Sequence, residues 1–375
     1  MEGMNTSAIP PAPFGRRQPS LFRRHPHTGL LLAAGLLLLA DCTFFMPACR
    51  RTGDEYTVMT WNLENLFDDV RNGGEYADYV PGEETWTAED FHGKMACLAQ
   101  GVASAVRGGP DVLLVQEIEN LNCLEQFNTL YLKGMGYRYS ALRKDPEQAV
   151  TTGVLSRYPL QEVYYHSYSL PESPSNRSIL EVWVEFPGET VIILNNHWKS
   201  KLGGAGETEP VRRKAASLIN RRIRELREEG RTLPVLVAGD LNENLMESSL
   251  PGTDWPTALI PLEMARELDE EERLSSLVFT GGTGPGFPFG EVLYSPWPLS
   301  PAPGSYHYGE TWETIDHFLL SREFFDSRGL EYSGFGVNRP DFLLYPDGTP
   351  MRWSRSAGEG YSDHLALVLT LKESP

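Results

Sequence analysis

The apolar residues of this chain follow two different periods, and each period predicts a different kind of element. Residues 55–67, "EYTVMTWNLENLF", alternate apolar and polar side chains as a half-buried strand does. Residues 110–120, "PDVLLVQEIEN", begin as the continuous apolar run of a fully buried strand. Further strand candidates read "GVLSRYPL", "ILEVWVEF", "TVIILNNHW", "LPVLVAGDL", "TIDHFLLS" and "YSDHLALVLTL". Helical spacing predicts helices near 89–109 and near 209–229, with Pro210 at the start of the second. This mixture predicts a sheet-based core with helical outer layers.

The first fifty residues differ in kind from the rest of the chain. A basic stretch, "FGRRQPSLFRRHPHTG", precedes the apolar run "LLLAAGLLLLA", and this order is typical of an export signal. The run is too short to span a bilayer, which takes about 20 apolar residues. Cys42 and Cys49 follow it, so a lipidated cysteine, a cleaved signal and an uncleaved anchor all remain open. We expect an exported protein, periplasmic, on the outer surface or extracellular, with residues 51–375 forming a single domain.

Charge separates the same two parts. Five arginines against two acidic residues give the first fifty residues +3, so the formal −18 of the whole chain becomes −21 for the remainder. An acidic surface does not attract phosphate backbones over a distance. A nucleic-acid substrate would therefore need a local basic patch or bound cations. Two cysteines, Cys97 and Cys123, lie in the acidic part, and either a disulfide or two free thiols would fit.

The apolar strand candidates share one feature, which is that each carries its polar residues at or next to an end. These residues are Asn62, Glu117, Asn196, His197, Asp240, Asn242, Asp316, His317, Asp363 and His364. Together they offer hard oxygen ligands for Mg²⁺, imidazoles that hold protons, and amides that orient water, as metal-assisted phosphate chemistry requires. Mg²⁺ usually takes one or two protein carboxylates, so Glu117 with Asn62 or Asp363 would suffice.

Several other chemistries lack their motifs in this sequence. There is no zinc-ligand spacing, no phosphate-binding G-x-x-x-x-G-K-[ST] loop, no G-x-S-x-G elbow and no G-x-G-x-x-G opening a helix. Direct attack by an activated water is therefore favoured over a covalent serine mechanism.

Six segments occur in the order "WNLENLF", "LLVQEIEN", "NNHWKSK", "VAGDLNEN", "TIDHFLLS" and "YSDH". They resemble the six signatures of the endonuclease/exonuclease/phosphatase superfamily, which includes DNase I-like nucleases, inositol-polyphosphate phosphatases and neutral sphingomyelinases. The resemblance extends over residues 56–372 and is nearest to an exported, nuclease-like bacterial branch. It implies an α/β (α+β) fold built as a four-layer sandwich, with two mixed β-sheets packed face to face and helices outside. It also implies Mg²⁺- or Mn²⁺-dependent hydrolysis of a phosphoester.

The resemblance also implies roles for the residues that match its motifs. Asn62 resembles an amide close to metal and phosphate, Glu117 the principal metal ligand, and Asp363 a residue beside the metal. His197 resembles a phosphate-binding or proton-donating histidine. The remaining matches are the pair that activates and orients water, Asp240 and Asn242, and a carboxylate-imidazole pair, Asp316 and His364. The general base stays open between Asp240 and the histidine.

Physical reasoning agrees with two of these roles. A carboxylate bound to one imidazole nitrogen favours the protonated ring, so His364 paired with Asp316 would hold a proton or stabilise developing negative charge. Asn242 cannot titrate, which suits a group that orients water.

Substrate contacts are less sharply indicated. Arg177 resembles an arginine that contacts phosphate in DNase I-like nucleases. Basic residues after His197, namely Lys199, Lys201, Arg212 and Arg213, flank a glycine loop, and Lys199 and Arg212 are predicted phosphate contacts. Aromatic residues just before Asp316, namely Tyr306, Tyr308 and Trp312, could stack on bases or pack in the core.

Three functions remain open. The first is an exported endonuclease acting on DNA or RNA, which the basic loop favours. The second is a phosphatase or phosphodiesterase acting on a lipid headgroup or small phosphoester. The third is a surface lipoprotein that has lost catalysis, which the complete set of site residues disfavours. We expect a monomer, with nucleic acid as substrate and membrane contact only through the N-terminus.

Overall fold

The structure is a computed structural model that describes residues 55–170, 173–281 and 291–374. The predicted export signal, Cys42 and Cys49 therefore lie outside the described residues. Within the described ranges, no helix combines the length and the apolar character needed to cross a membrane. Cys97 and Cys123 are two free thiols, the second of them buried.

Strands and helices alternate irregularly along the described ranges. The strands are β1 (Glu55–Leu66), β2 (Val112–Ile118), β3 (Tyr139–Leu142), β4 (Thr151–Ser156), β5 (Leu160–Leu170), β6 (Ser173–Phe186), β7 (Glu189–His197), β8 (Val235–Asp240), β9 (Leu259–Pro261), β10 (Leu277–Thr280), β11 (Leu293–Tyr294), β12 (Tyr306–Tyr308), β13 (Thr311–Glu313), β14 (Asp316–Leu320), β15 (Leu330–Val337) and β16 (Leu367–Glu373). The α-helices are α1 (Ala88–Ala105), α2 (Leu121–Gln126), α3 (Ala205–Glu228), α4 (Leu262–Ala265) and α5 (Glu270–Leu274). A π-helical turn and short 3-10 turns cover Phe127–Tyr131, Ala77–Tyr79, Glu247–Ser249, Trp297–Leu299, Arg322–Phe325 and Asp341–Leu343.

The predicted elements are present, with three shifts in their limits. The segment "GVLSRYPL" divides into the end of β4 and the start of β5, because Ser156 and Tyr158 form a turn through the Ser156 hydroxyl. Helix α3 begins before Pro210, which lies inside it. Strand β16 begins only at Leu367, so the "SDH" residues before it belong to a loop.

Two large mixed sheets form the centre of the fold. One has the strand order β15-β16-β1-β2-β4-β3 and the other β5-β6-β7-β8-β14-β11-β10-β9. Apolar residues from both inner faces join one core cluster, with Val58 and Leu114 from the first sheet and Val182, Ile193 and Leu236 from the second. The sheets therefore pack face to face, as in other two-sheet cores.

Helices cover the outer faces. Because successive strand residues point to opposite faces, Met59 of β1 lies away from Val58 and packs with Phe91 and Met95 of α1. Thr87 caps α1 by accepting a hydrogen bond from the Asp90 backbone N–H at 3.2 Å. Helix α3 packs on the second sheet through β5 and β10. The predicted four-layer α/β sandwich is confirmed.

Strand register brings the predicted polar residues together at one end of both sheets. In the second sheet, β7 and β8 are parallel and pair His197 with Asp240. Strand β14 is antiparallel to β8, so its first residue, Asp316, pairs with the last residue of β8, Asp240. Gly239 precedes this point with φ of 116°, and a Cβ there would lie 2.2 Å from the Asn196 carbonyl oxygen. Only glycine allows β7 and β8 to approach so closely.

Candidate active site

Asn62 links the two sheets at the centre of the site. Its side chain is fully buried on β1 of the first sheet. Its Nδ2 donates hydrogen bonds to Glu117 Oε1 and to Asp240 Oδ2, both at 3.0 Å, and Asp240 belongs to the second sheet. One amide that cannot titrate therefore fixes two carboxylates relative to each other.

Glu117 occupies a bulge that turns its side chain into the site. The pairing of β2 with β4 shifts between Val115 and Ile118, and Glu117 has φ of 56°, an uncommon value for a residue with a side chain. Its side chain stays 20% exposed at the site. Burial raises the pKa of Glu117, and the nearby Asp363 carboxylate raises it further. A cation bound here would relieve both effects, because it stabilises the charged form of the carboxyl.

His197 has a defined neutral tautomer. Arg177 Nη1 donates to His197 Nδ1 at 2.7 Å, so Nδ1 is the acceptor and the proton of a neutral ring lies on Nε2. That Nε2 is 3.5 Å from Glu117 Oε1 and 3.7 Å from Asp240 Oδ2. Burial lowers the pKa of His197 well below its ordinary value, and the positive charge of Arg177 adds to this effect. The ring therefore presents an N–H to the carboxylates while remaining uncharged.

His364 is in the opposite protonation state. Its Nδ1 lies 2.8 Å from Asp316 Oδ2, which also accepts a hydrogen bond of 2.6 Å from the Ser305 hydroxyl. Burial alone would lower the pKa of His364, but the Asp316 carboxylate outweighs it and raises the pKa well above the ordinary value. Tyr306 covers the ring at 4.7 Å between centroids. His364 is therefore a buried cation at neutral pH.

Asp240 and Asn242 share the loop that leaves β8. The Asn242 backbone N–H donates to Asp240 Oδ1 at 2.8 Å, and Asn242 has φ of 51°, a left-handed conformation that Asn adopts more readily than most residues. Its Nδ2 donates to the Trp198 carbonyl at 3.3 Å. Burial raises the pKa of Asp240 to about 7, with Asp316 and Glu117 adding to the effect. A carboxyl with this pKa can accept a proton near neutral pH.

The donor set fits a hard divalent cation. Ligand atoms of Glu117, His197 and Asp240 lie within 4.8 Å of one another, as do those of Asp240, Asp316 and His364. In the described part of the chain, Oδ1 of Asp316 is buried without a hydrogen-bond partner. Each group offers two carboxylates and one imidazole, and carboxylate oxygens suit Mg²⁺ or Mn²⁺ better than a softer metal.

Two residues at the predicted strand ends do not join the site. His317 follows Asp316 and therefore faces the other side of β14, where its Nε2 lies 2.8 Å from the Glu243 carbonyl oxygen. Asn196 is fully buried and donates to the Leu194 carbonyl at 2.7 Å. Both therefore have structural roles.

The basic residues after His197 are mostly bound to the protein itself. Lys201 Nζ lies 2.7 Å from Glu247 Oε2 and 3.2 Å from Glu313 Oε2. Arg213 Nη2 donates to the Ser275 hydroxyl at 2.6 Å. Lys199 is partly exposed and makes contacts of 3.3 to 3.4 Å with its own loop, so of this group it alone remains well placed for a substrate.

Arg212 differs from the expectation that it contacts phosphate. Its side chain is fully buried in α3 and pairs with Glu209 and Glu243, with Nε 3.0 Å from Glu243 Oε2. A guanidinium that is already paired inside the protein is not available to a substrate. Sequence spacing from His197 could not show this, because both carboxylates reach Arg212 only through the folded helix and the loop after β8.

Two site residues were missed from the sequence. Glu64 lies in "WNLENLF" next to Asn62, and its carboxylate binds the loop that carries Asp363. Arg352 lies in that loop, with Nη2 3.6 Å from Asp363 Oδ2. The sequence could have indicated Glu64, since this residue lies inside a recognised motif. Nothing in the sequence indicated Arg352, because its loop has no periodic pattern.

One family profile matches more than half of this chain. A profile of the endonuclease/exonuclease/phosphatase family matches residues 57–254, which include the first four of the six motifs. Among curated proteins, none matches this chain. Solved structures with a similar fold include TDP2 from Caenorhabditis elegans, at 16% identity and a TM-score of 0.49, covering 85% of this chain and 75% of that chain.

Two further structures come from Bacteroides thetaiotaomicron. An endonuclease/exonuclease/phosphatase family protein is 18% identical with a TM-score of 0.49, covering 84% of this chain and 94% of that one. A mannosyl-6-phosphatase is 18% identical with a TM-score of 0.48, covering 84% of this chain and 99% of that one. Because the family profile covers more than half of the chain, the chain belongs to the endonuclease/exonuclease/phosphatase family.

Proposed function

We propose that this protein hydrolyses a phosphoester by direct attack of an activated water. The observation that carries the proposal is the meeting of two differently protonated histidines with one carboxyl of intermediate pKa. His364 is a buried cation, His197 is neutral with its proton on Nε2, and the pKa of Asp240 is raised to about 7 by burial. Groups whose pKa values are driven apart in this way can divide acid and base roles.

Each group then has a task that its geometry allows. Asp240 accepts the proton of the attacking water, and Asn242 beside it helps to orient that water. His364, held by Asp316, offers positive charge and a proton to the oxygens of the reacting phosphate. His197 Nε2–H and the guanidinium of Arg177 bind phosphate oxygens, with Lys199 at the rim.

Glu117 and Asp363 would hold Mg²⁺ or Mn²⁺, which when bound supplies Lewis-acid charge at the phosphate. Asn62 was predicted as a further ligand, but its Oδ1 accepts a hydrogen bond from the Glu64 backbone N–H and its Nδ2 faces Glu117 and Asp240, so it positions the carboxylates instead. Asn62 fixes Glu117 Oε1 at 3.0 Å and so keeps this carboxylate in place for the ion.

For the substrate we favour a small phosphoester or a lipid headgroup over nucleic acid. Arg212 is fully buried and Lys201 pairs with two carboxylates, so the basic patch that would offset the charge of −21 is mostly used internally. Without such a patch, a long polyanion meets an acidic surface and gains little from counterion release.

An endonuclease is the second candidate, and one observation favours it. Tyr306 and Tyr308 lie on the hairpin of β12 and β13 beside His364, and Tyr308 is 70% exposed. An exposed aromatic ring next to the phosphate site could stack on a base.

The cellular setting rests on the N-terminal sequence. We keep the prediction that the protein is an exported monomer of a bacterial nuclease-like branch, attached to a membrane only if the N-terminus is lipidated or uncleaved. Attachment would bring the site close to lipid headgroups. A lipoprotein that only binds and has lost catalysis is disfavoured, because the set of site residues is complete. Mass spectrometry of the native N-terminus would distinguish lipidated Cys42 or Cys49 from a cleaved end.

A substrate panel tests the proposal. The purified protein would be incubated with p-nitrophenyl phosphate, bis(p-nitrophenyl) phosphate, sphingomyelin, inositol phosphates, plasmid DNA and RNA, each with Mg²⁺, Mn²⁺ or EDTA. We expect turnover of a small ester or headgroup with metal and none with EDTA. Faster cleavage of DNA or RNA would favour the second candidate, and no turnover of any substrate would overturn the proposal.

A further inference from the structure

Glu64 connects the first strand to the loop that follows β15. Its carboxylate is buried, with 5% of the residue exposed. It accepts three hydrogen bonds from this loop: from Arg352 Nε at 2.7 Å, from the Trp353 backbone N–H at 3.1 Å and from the Asp363 backbone N–H at 3.1 Å. One side chain of β1 therefore holds both ends of the segment 352–363.

The backbone of Glu64 is fixed as firmly as its side chain. Glu64 and Asn65 both have positive φ, at 51° and 62°. Two such residues in succession cost conformational energy and persist only where surrounding contacts enforce them. The enforcing contact is the fully buried Lys94 of α1, whose Nζ donates to the carbonyl oxygens of Glu64 and, at 3.4 Å, of Asn65.

Arg352 is held along one edge of its guanidinium and open along the other. Its side chain is 62% exposed although Nε is bound to Glu64. Nη2 lies 3.6 Å from Asp363 Oδ2, and Nη1 donates no hydrogen bond to any described residue. Nη1 of Arg352 is therefore available to a further partner.

The neighbouring Arg355 is arranged differently. It lies three residues further along the same loop and uses all three of its nitrogens. Nε donates to Asp90 Oδ2 at 3.0 Å, Nη1 to the Glu84 carbonyl at 2.7 Å and Nη2 to the Glu83 carbonyl at 3.1 Å. Arg355 is therefore structural, and the contrast indicates that the open edge of Arg352 serves another partner.

The position of Arg352 indicates what that partner is. The Asp363 carboxylate that it approaches lies 3.9 Å from His364 Nε2, the cationic imidazole of the site. The guanidinium of Arg352 therefore stands on the Asp363 side of the polar cluster, whereas Arg177 stands on the His197 side. A guanidinium offers a planar pair of donors that matches two oxygens of a phosphate.

We propose that Arg352 binds the anionic oxygens of the substrate, with Glu64 as its positioning residue, and that this contact favours dianionic phosphomonoesters over monoanionic diesters. The inference rests on the proposed phosphoesterase function and names the substrate class for that site. A terminal phosphate carries a second negative charge that a diester lacks, and a second guanidinium at the cluster stabilises that extra charge.

The test compares two substrates in one assay. The full-length protein with Mg²⁺ would be given p-nitrophenyl phosphate, a dianion at pH 8, and bis(p-nitrophenyl) phosphate, a monoanion. Arg352→Gln is expected to raise KM about tenfold for the monoester, the value of one hydrogen bond to a charged group. The KM for the diester should change less than the KM for the monoester. Arg355→Gln, the matched control, should leave both KM values unchanged.

A double-mutant cycle tests the positioning role of Glu64. Glu64→Gln should raise the monoester KM, as Arg352→Gln does. The KM of the double variant should not exceed the higher of the two single-variant KM values, because the two residues act as one unit. Additive effects would mean that Glu64 acts independently, and the positioning role would be wrong.

Binding of inorganic phosphate, measured by isothermal titration calorimetry at pH 8, examines the contact without turnover. Arg352→Gln should weaken phosphate binding about tenfold, and Arg352→Lys should restore only part of it, because lysine keeps the charge but loses the planar pair of donors. Unchanged phosphate binding, or equal increases in both KM values, would overturn the inference. Failure of the proposed function would look different, since the wild-type protein would then hydrolyse neither ester while still binding phosphate through Arg352.

Discussion

Two regions of this protein gather charged side chains, and they use them in opposite ways. The strand-end cluster consists of Asn62, Glu117, His197, Asp240, Asp316 and His364. The helix arginines are four of the six arginines of α3, namely Arg212, Arg213, Arg222 and Arg224. The cluster keeps strongly shifted pKa values at His197 and His364, whereas each helix arginine is bound to a partner within the protein.

The difference comes from how each region is positioned. Strand ends are brought together by sheet register, as when Asp240 pairs with both His197 and Asp316. Their side chains then lie close together whether or not this suits their charges. A helix side chain can turn toward any carboxylate nearby, and the packing of α3 against the second sheet brings Glu181 to Arg222 and Glu243 to Arg212. Charge density alone therefore does not mark function here, and neither does a shifted pKa, because the structural pair with Arg222 lowers the pKa of Glu181 to about 2.

The largest effect is expected from the cluster. Asp240→Asn should lower kcat by about 10² to 10⁴, the usual contribution of a general base. The melting temperature should stay the same or rise, because burial raises the pKa of Asp240 to about 7 and so disfavours its charged form in the fold. Asp326→Asn is the control, since that exposed carboxylate lies beyond the other end of β14. Wild-type kcat in Asp240→Asn would remove Asp240 from the reaction.

The helix arginines should show the reverse pattern. Arg212→Met leaves the buried carboxylates of Glu209 and Glu243 without their cation, and should cost about 3 to 5 kcal/mol of unfolding free energy. Arg224→Met is the control, because its pair with Glu291 is 39% and 27% exposed and should contribute no more than about 1 kcal/mol. Urea denaturation measures both. The kcat of folded Arg212→Met should stay near wild type, and a large loss of kcat at full stability would return Arg212 to the active site.

Acid should weaken the second buried pair of α3. Burial alone would raise the pKa of Glu181, but hydrogen bonds from Arg222 and His166 outweigh it and lower the pKa to about 2 from an ordinary 4.5. Because the folded value is the lower one, the pair stabilises the fold fully above pH 4.5 and loses this effect as the pH falls toward 2.

The shift corresponds to about 3 kcal/mol at neutral pH. The difference in unfolding free energy between wild type and Glu181→Gln should therefore shrink steadily between about pH 4.5 and pH 3. A difference that stays constant over this range would show that Glu181 is not held ionised by Arg222.

The same contrast explains how far the sequence could predict the molecule. The strands could be predicted because apolar periodicity is local. Most of the site could be predicted because residues such as His197, Asp240 and Asp316 stand at strand ends, which sheet register brings together, whereas His364 lies in the loop before β16.

The burial of Arg212 in an ion pair could not be predicted, since Glu243 contacts it only after the chain has folded. Glu64 and Arg352 are 288 residues apart in the sequence, and their contact joins a strand to an irregular loop. No local sequence pattern predicts such a contact.

Arg177 gives the smallest and most informative change, because it is an arginine that contacts the strand-end cluster, through His197, and does not lie on α3. Burial lowers the pKa of His197 and the Arg177 charge lowers it further, so Arg177→Gln should let that pKa rise. The pKa of His197, followed by NMR of its ring protons, should then rise, and kcat/KM should fall about tenfold through the lost charged hydrogen bond. Arg143→Gln, an exposed arginine over the Tyr165 ring, should change neither. A fall in kcat/KM without a rise in the pKa of His197 would mean that Arg177 binds the substrate but does not keep His197 uncharged.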